Sequence, residues 1–122
     1  MATVSFSDSP YNFSGRFESG TGTNPEELLG AAHASCFTMA LSVGLTQAGN
    51  PPESLATEAK VTVDQVEGGF GITKIHLSVT GKVPGLDADG FAAAAQGAKE
   101  NCPVSKALAS VPEITLETNF ES

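Results

Sequence analysis

Two cysteines, Cys36 and Cys102, are the residues of this 122-residue sequence best suited to chemistry. In a reducing compartment, a pair of cysteines is more often catalytic, redox-active or metal-binding than a permanent structural bridge. The alternative is that both are small buried hydrophobic residues, as free cysteines often are. The surroundings of each thiol therefore decide what it can do.

The sequence predicts different surroundings for the two thiols. Cys36 lies halfway along an apolar segment, where burial raises the pKa of a thiol and makes it inert. A reactive Cys36 needs a nearby cation, and Arg16, the single arginine of the sequence, can supply one without losing its proton. Cys102 precedes Pro103 at a predicted helix start, where backbone N–H groups favour a thiolate. Local environment alone predicts that Cys102 is the more acidic thiol.

Other side chains extend this picture. Glu26 precedes Cys36 on the same predicted helix and falls on broadly the same side, so it could hold an arginine that reaches toward the thiol. His33 shares a helix face with Cys36. A zinc site built on His33, Cys36 and Cys102 is conceivable, although it lacks the close ligand spacing typical of zinc proteins. His76 is expected at the surface of a strand.

The segment from Asn24 to Ala48 is predicted to be the central helix. Asn24 suits the N-cap, Pro25 suits the first helical position, and Glu27 stands where a capping box places an acid. Gly49 supplies a left-handed cap candidate at the other end. The residues between are apolar nearly all round the helix, which predicts a buried core helix.

The remaining periodicity predicts strands and helices that are segregated along the chain rather than strictly alternating. This order indicates one α+β domain over residues 1–122 rather than a doubly wound sheet. The predicted strands are Ala2–Phe6, Tyr11–Glu18, Leu55–Val66, Phe70–Val83 and Pro112–Phe120. The predicted further helices are Phe91–Asn101 and a short one from Pro103 through Leu108, separated by the break at Cys102-Pro103.

The charge balance narrows the class of partner. Fourteen acidic residues against six basic ones give a net charge of -8, which argues against binding to nucleic acid or to an anionic membrane surface. We find no signal peptide and no segment that resembles a membrane span, so we expect a cytoplasmic protein.

Three segments of the sequence stand out as motifs. They run from Gly22 to Leu29 (GTNPEELL), from Ala31 to Phe37 (AAHASCF) and from Asn101 to Ser105 (NCPVS). Together with the stretch from Gly69 to Ile75 in the predicted hairpin, they resemble the OsmC/Ohr family of osmotically induced and organic-hydroperoxide-resistance proteins. The residues around Cys36 and Cys102 are nearer those of the OsmC branch, and the resemblance covers nearly the whole chain from Pro10 onward.

The resemblance implies a fold and an assembly. We expect antiparallel sheets wrapped around a long buried central helix, in an intertwined homodimer with active sites at its interface. Ala2–Phe6 corresponds to the second strand of the family, so we expect the family's first N-terminal strand to be missing.

The resemblance also implies roles for four residues. Cys36 matches the peroxidatic cysteine and Cys102 the resolving cysteine. Arg16 matches the arginine that stabilises the thiolate and polarises the peroxide, and Glu26 matches the acid that holds this arginine. This assignment reverses the ranking by local environment, because a cation at a buried site outweighs the modest effect of a helix end.

The implied function is that of a thiol-dependent peroxidase that reduces organic hydroperoxides, and hydrogen peroxide as a further substrate. Cys36 becomes a sulfenic acid and then forms a disulfide with Cys102. No cofactor or metal is expected, but an external dithiol or lipoyl-type reductant is required. The alternative is a non-enzymatic binding or stress-associated structural protein on the same fold.

Overall fold

The computed structural model describes residues 24–121, and within them the α+β class is confirmed. The predicted strands at Ala2–Phe6 and Tyr11–Glu18, and with them Arg16, lie outside the described residues. The described elements in chain order are α1 (Pro25–Gln47), β1 (Ser54–Val66), β2 (Gly69–Lys82), α2 (Ala88–Asn101), α3 (Pro103–Ala107) and β3 (Glu113–Glu121).

Helix α1 begins and ends at the predicted signals. The side chain of Asn24 accepts a hydrogen bond of 2.9 Å from the N–H of Glu27, and Pro25 occupies the first turn, where its missing N–H costs nothing. After the last turn, Gly49 adopts a positive φ of 90°. The N–H of Asn50 then bonds to the carbonyl of Leu45 at 2.9 Å, which closes the helix end.

The burial of α1 differs from the expectation of a helix buried all round. Its buried residues recur at helical spacing along one face: Gly30, His33, Phe37, Leu41 and Leu45. On the opposite face Met39 is 66% exposed and Val43 54% exposed. Apolar residues cover both faces in the sequence, but the described part of a single chain supplies packing partners to one face.

By length and composition alone, α1 is also long and apolar enough to cross a membrane, contrary to the expectation that no segment resembles a span. The core helix of a soluble protein meets the same criterion. In the described structure one face of α1 packs against β1, α2 and α3, so the helix contributes to the core through that face.

The three described strands form one sheet in the order β1-β2-β3. Strands β1 and β2 form the predicted antiparallel hairpin, from Ser54 opposite Lys82 to Val66 opposite Gly69. Gly68 and Gly69 have φ values of 90° and 141° at the turn. These positive values explain why glycines stand there.

Strand β3 pairs with β2 in parallel, so the expectation of purely antiparallel sheets is wrong for this strand. Parallel neighbours require a crossover connection of about a dozen residues or more. Helices α2 and α3 lie between β2 and β3 and form this connection. The alternation of Ile114, Leu116 and Phe120 correctly predicted a strand, but alternation does not determine its direction.

The core lies between the sheet and the helices. Ile75, Leu77 and Val79 alternate along β2 and are fully buried, as period two requires, and they pack with Phe37 of α1 and Phe91 of α2. The other face of the sheet is polar. There His76 is half-buried rather than a simple surface residue, because its Nδ1 forms a 2.6 Å hydrogen bond with the hydroxyl of Thr115.

Candidate active site

Cys36 lies near the middle of α1, at the boundary between its buried and exposed faces. The thiol is partly exposed and lines an open groove of about 570 Å³. The groove follows α1 for several turns and is predominantly apolar. Its lining residues are Ala32, Ser35, Cys36, Met39, Ala40, Val43, Gly44, Gln47 and Pro103.

Cys102 lies at the junction of α2 and α3. It ends α2, where its N–H bonds to the carbonyl of Ala98 at 2.9 Å, and it is also the N-cap of α3. Its extended backbone is the conformation that the following Pro103 imposes. The side chain is fully buried, so reagents in solvent have no direct path to it in the described structure.

The structure therefore brings the two predicted thiols together. Both cysteines are free, and their side chains are joined by a hydrogen bond. Burial raises the pKa of Cys36, and the hydrogen bond that it donates to Cys102 raises the pKa further. The N–H of Val104 lowers it by less. Among the described residues, nothing offsets these effects enough to make Cys36 acidic.

The pKa of Cys102 shifts in the opposite direction. Burial would raise it, but hydrogen bonds from Cys36, from the N–H and hydroxyl of Ser105 and from the N–H of Val104 stabilise the thiolate and lower the pKa overall. Although Cys102 makes no regular side-chain cap hydrogen bond, these donors surround its sulfur. The prediction that local environment makes Cys102 the more acidic thiol agrees with this result.

Of the other two predicted site residues, Glu26 is described by the structure and Arg16 is not. Glu26 lies in the first turn of α1 and is half-buried. It lines two depressions, one against β1 with Val61 and one beside Ile72 of β2, and neither includes Cys36. Arg16 lies outside residues 24–121. The roles of Arg16 and Glu26 at the thiolate therefore stay predictions.

A contact between His33 and Ser105 belongs to the site and was not predicted from the sequence. His33 is fully buried on α1, and its Nε2 lies 2.6 Å from the hydroxyl oxygen of Ser105 on α3. Burial lowers the pKa of His33, so the ring is neutral. The sequence contained one indication of this contact. His33 lies three residues before Cys36 and Ser105 three residues after Cys102, so each shares a helix face with a cysteine.

The same contact bears on the zinc alternative. Within the described residues no three histidine, cysteine or acidic side chains converge as a metal-binding group. His33 directs Nε2 to Ser105 instead of sharing a ligand position with Cys36 and Cys102.

The arrangement can form a disulfide. A partly exposed thiol beside an apolar groove can meet an oxidant, and a buried thiol already in contact with it can condense with the oxidised sulfur. A reductant with access to the groove can reverse the step by thiol–disulfide exchange.

Comparison with known proteins shows which family the chain resembles. Residues 18–117 match the family model of the OsmC-like proteins. The chain is 53% identical over 113 residues to the peroxiredoxin OsmC of Escherichia coli, which covers 93% of this chain and 78% of that protein. It is 34% identical over 98 residues to an organic hydroperoxide resistance protein of Xanthomonas axonopodis, which covers 80% of this chain and 67% of that one.

Solved structures resemble the fold as well. An organic hydroperoxide resistance protein from Elizabethkingia anophelis superposes with a TM-score of 0.70 at 27% sequence identity, over 83% of this chain and 74% of that chain. The similarity therefore extends from the sequence motifs to the arrangement of helices and sheet.

Proposed function

The chain belongs to the OsmC-like protein family, and on that premise we propose that it is a two-cysteine peroxidase that reduces organic hydroperoxides. Relatives named peroxiredoxin and organic hydroperoxide resistance protein support this class of enzyme. The observation that carries the proposal is the contact between a groove-lining thiol, Cys36, and a buried thiol, Cys102.

The first half of the reaction oxidises Cys36. Its thiolate attacks the distal oxygen of the hydroperoxide, the O–O bond breaks, and the alkoxide leaves and takes a proton to become an alcohol. Cys36 is then a sulfenic acid. The thiolate of Cys102 attacks this sulfur, the S–O bond breaks, water leaves after protonation, and a Cys36–Cys102 disulfide remains.

The second half restores the thiols. An external dithiol, for which a lipoyl-type compound is our candidate, opens the disulfide by exchange and leaves as its own disulfide. Among the described residues, the groups that contact the sulfurs are side chains and backbone N–H groups. The proposed cycle uses the two thiols and the external dithiol as its redox groups.

Arg16 is assigned to the thiolate of Cys36. The described surroundings raise the pKa of Cys36, so the reactive anion needs a compensating charge, and a guanidinium supplies one that does not titrate. Glu26, half-buried in the first turn of α1, is assigned to hold that guanidinium. These assignments rest on the family motif and on the electrostatic need of Cys36.

The groove supports an organic substrate. Its lining beside Cys36 consists of alanine, methionine, valine, glycine and proline with two polar residues, Ser35 and Gln47. Such a surface gains free energy by covering an alkyl or aryl group, whereas hydrogen peroxide offers no apolar area to bury. We therefore rank organic hydroperoxides above hydrogen peroxide as substrates.

We also propose a homodimer in the cytoplasm. The exposed face of α1 around Met39 and Val43 is apolar, and burial of this face by the same face of a second chain would remove it from water. Met39 and Val43 also line the groove beside Cys36. Such a dimer would therefore place each groove at the interface, where substrate and reductant would enter between the two chains. A reducing compartment supplies the dithiol that the cycle consumes.

The test of the proposed function is the intact mass of the protein after one equivalent of cumene hydroperoxide, followed by trapping of the remaining thiols. We expect a loss of two hydrogens, no trapped thiol, and a peptide map that joins Cys36 to Cys102. Two unreacted thiols would exclude the peroxidase mechanism and leave a ligand-binding role for this fold.

A further inference from the structure

A buried hydrogen-bond chain runs from His33 through Ser105 to Cys102. We propose that His33, acting through Ser105, aims the Ser105 hydroxyl proton at Cys102, so that Cys102 departs as the thiolate when a reductant opens the Cys36–Cys102 disulfide. The inference rests on the proposed disulfide cycle. It makes His33 and Ser105 positioning residues, because they act on the sulfur and not on the substrate.

The tautomer of His33 is the first step of the argument. Its ring is neutral and fully buried, Nε2 contacts Ser105, and Nδ1 is buried with no hydrogen-bond partner among the described residues. A proton on Nδ1 would leave a buried N–H without an acceptor, which proteins avoid more strongly than an unsatisfied acceptor. The proton therefore lies on Nε2, and His33 donates to the Ser105 oxygen.

This tautomer determines the direction of the Ser105 hydroxyl. Serine has a single O–H, and a lone pair of its oxygen is occupied by the Nε2–H of His33. The proton of Ser105 is therefore free to point to the sulfur of Cys102, one helical turn earlier and in contact with this hydroxyl. Successive bonds in such a chain polarise one another, so the imidazole strengthens the serine as a donor.

Access to the two sulfurs differs, and this difference selects which one a reductant attacks. Cys36 lines the open groove, whereas Cys102 is fully buried. The thiolate of the reductant attacks the sulfur of Cys36 and forms a new S–S bond there. The Cys36–Cys102 bond breaks, and its electron pair leaves on Cys102. A better-stabilised thiolate is a faster leaving group, and Ser105 stabilises this one.

Few groups influence Cys102 in the described structure. From α1, the titratable groups are Cys36, which donates a hydrogen bond, and His33, which acts through Ser105. From α3, the N–H groups of Val104 and Ser105 contribute without titrating. The lysine of the same helix, Lys106, is exposed. Changes at Ser105 should therefore be visible in the titration of Cys102.

The experiment is an equilibrium titration of Cys102 by thiolate absorbance in the full chain with Cys36→Ser, where Cys102 is the single thiol. Absorbance requires no reagent to reach the buried sulfur. Loss of a hydrogen bond to a charged group is worth about a factor of ten in thiolate population at neutral pH. Ser105→Ala should therefore shift the midpoint upward and reduce the thiolate at neutral pH about tenfold, and Ser105→Thr should restore it.

Two pairs of variants separate positioning from packing. Ser78→Ala, on the polar face of β2 away from both thiols, is the matched control for the serine and should leave the midpoint unchanged. His33→Gln keeps an N–H donor and should preserve most of the thiolate, whereas His33→Leu should lose part of it. Equal midpoints for Ser105→Ala and Ser78→Ala would overturn the proposal.

The rate of disulfide opening provides a second readout. In the chain with both cysteines, Ser105→Ala should slow opening of the preformed disulfide by dithiothreitol, and the first mixed disulfide should map to Cys36. A mixed disulfide at Cys102 would overturn the proposal. Because the titration requires neither peroxide nor a disulfide, it separates failure of this inference from failure of the peroxidase function.

Discussion

The hydrogen bond between Cys36 and Cys102 acts on the two sulfurs in opposite directions. It raises the pKa of Cys36, which donates, and lowers the pKa of Cys102, which accepts. The thiol that can meet an oxidant is thus the weaker acid of the pair, and the hidden thiol carries the negative charge more readily. A peroxidase built on this pair must correct that balance at Cys36, and our first prediction concerns the residue assigned to do so.

Arg16→Ala should raise the pKa of Cys36. Because loss of a nearby cation disfavours the thiolate, the alkylation rate of Cys36 at neutral pH should fall about tenfold, with its pH profile displaced to higher pH. The measurement is iodoacetamide labelling of the Cys102→Ser variant across pH. Arg16→Lys retains a positive charge and should lie between the two. Superimposable profiles for Arg16→Ala and the parent would remove Arg16 from the site.

Cys102→Ser should leave Cys36 open to over-oxidation by peroxide. Without a thiol to condense with, the sulfenic acid of Cys36 survives to meet further peroxide and advances to sulfinic and sulfonic acids. Intact mass after excess cumene hydroperoxide should show added oxygen atoms located on Cys36. Cys36→Ser is the companion variant, and its peroxide consumption should fall to background. Normal turnover in either variant contradicts the two-cysteine cycle.

His33 should make stability fall as the solution is acidified. Its pKa is lowered in the folded protein relative to about 6.5 in the unfolded chain. The unfolded state therefore binds more protons below that pH, so the free energy of unfolding declines as pH falls below about 6.5 until the lower folded pKa is reached. His33→Gln should flatten this part of the profile, as measured by urea unfolding. An unchanged slope would show that His33 titrates alike in both states.

Gly81→Ala and Gly97→Ala should have opposite effects on stability. A Cβ at Gly81 would lie 2.5 Å from Cε1 of Phe91 and 2.9 Å from Cδ2 of Leu55, and such overpacking of a core costs about 1–3 kcal/mol. A Cβ at Gly97 of α2 meets nothing within 4 Å, and alanine in a helix is favoured by about 1 kcal/mol. Thermal unfolding of both variants tests this ranking, which a stabilised Gly81→Ala would reverse.

Met39→Glu should weaken the proposed dimer. The substitution places a charge on the exposed apolar face of α1, where Met39 is 66% exposed, and burial of an unpaired charge in an interface is costly. Light scattering coupled to size exclusion should show a shift from dimer to monomer. Thr62→Glu, on the exposed face of β1, is the charge-matched control and should leave the mass unchanged. A monomeric parent protein would contradict the assembly itself.

Local signals in the sequence were sufficient to predict most of the described elements. The capping residues Asn24 and Pro25, and Gly49 beyond the last turn, defined α1 because each satisfies or relaxes a specific backbone requirement at a helix end. The alternation along β1 and β2 and the glycines between them defined the hairpin for the same reason. These requirements involve residues that are close in the chain, so the structure that they impose can be predicted from a short stretch of sequence.

Contacts between residues that are far apart in the chain could not be predicted from such local patterns. The direction of β3 depends on how the chain returns after α2 and α3, and an alternating strand serves a parallel or an antiparallel neighbour equally well. The contact of His33 with Ser105 joins α1 to α3, and each residue alone was compatible with an ordinary core position. The pairing of Cys36 with Cys102 came from family resemblance, and the fold then brought both thiols together.

The parallel pairing of β3 also has a consequence for the order in which the molecule assembles. The β1–β2 hairpin closes through a tight turn and can form early, whereas β3 must wait for a contact across the whole crossover. Cys102 lies in that crossover, and Cys36 lies in the helix that precedes the hairpin. The contact between the thiols spans the whole hairpin but does not require β3, so formation of their disulfide by a folding chain would report that α1 has packed against the junction of α2 and α3.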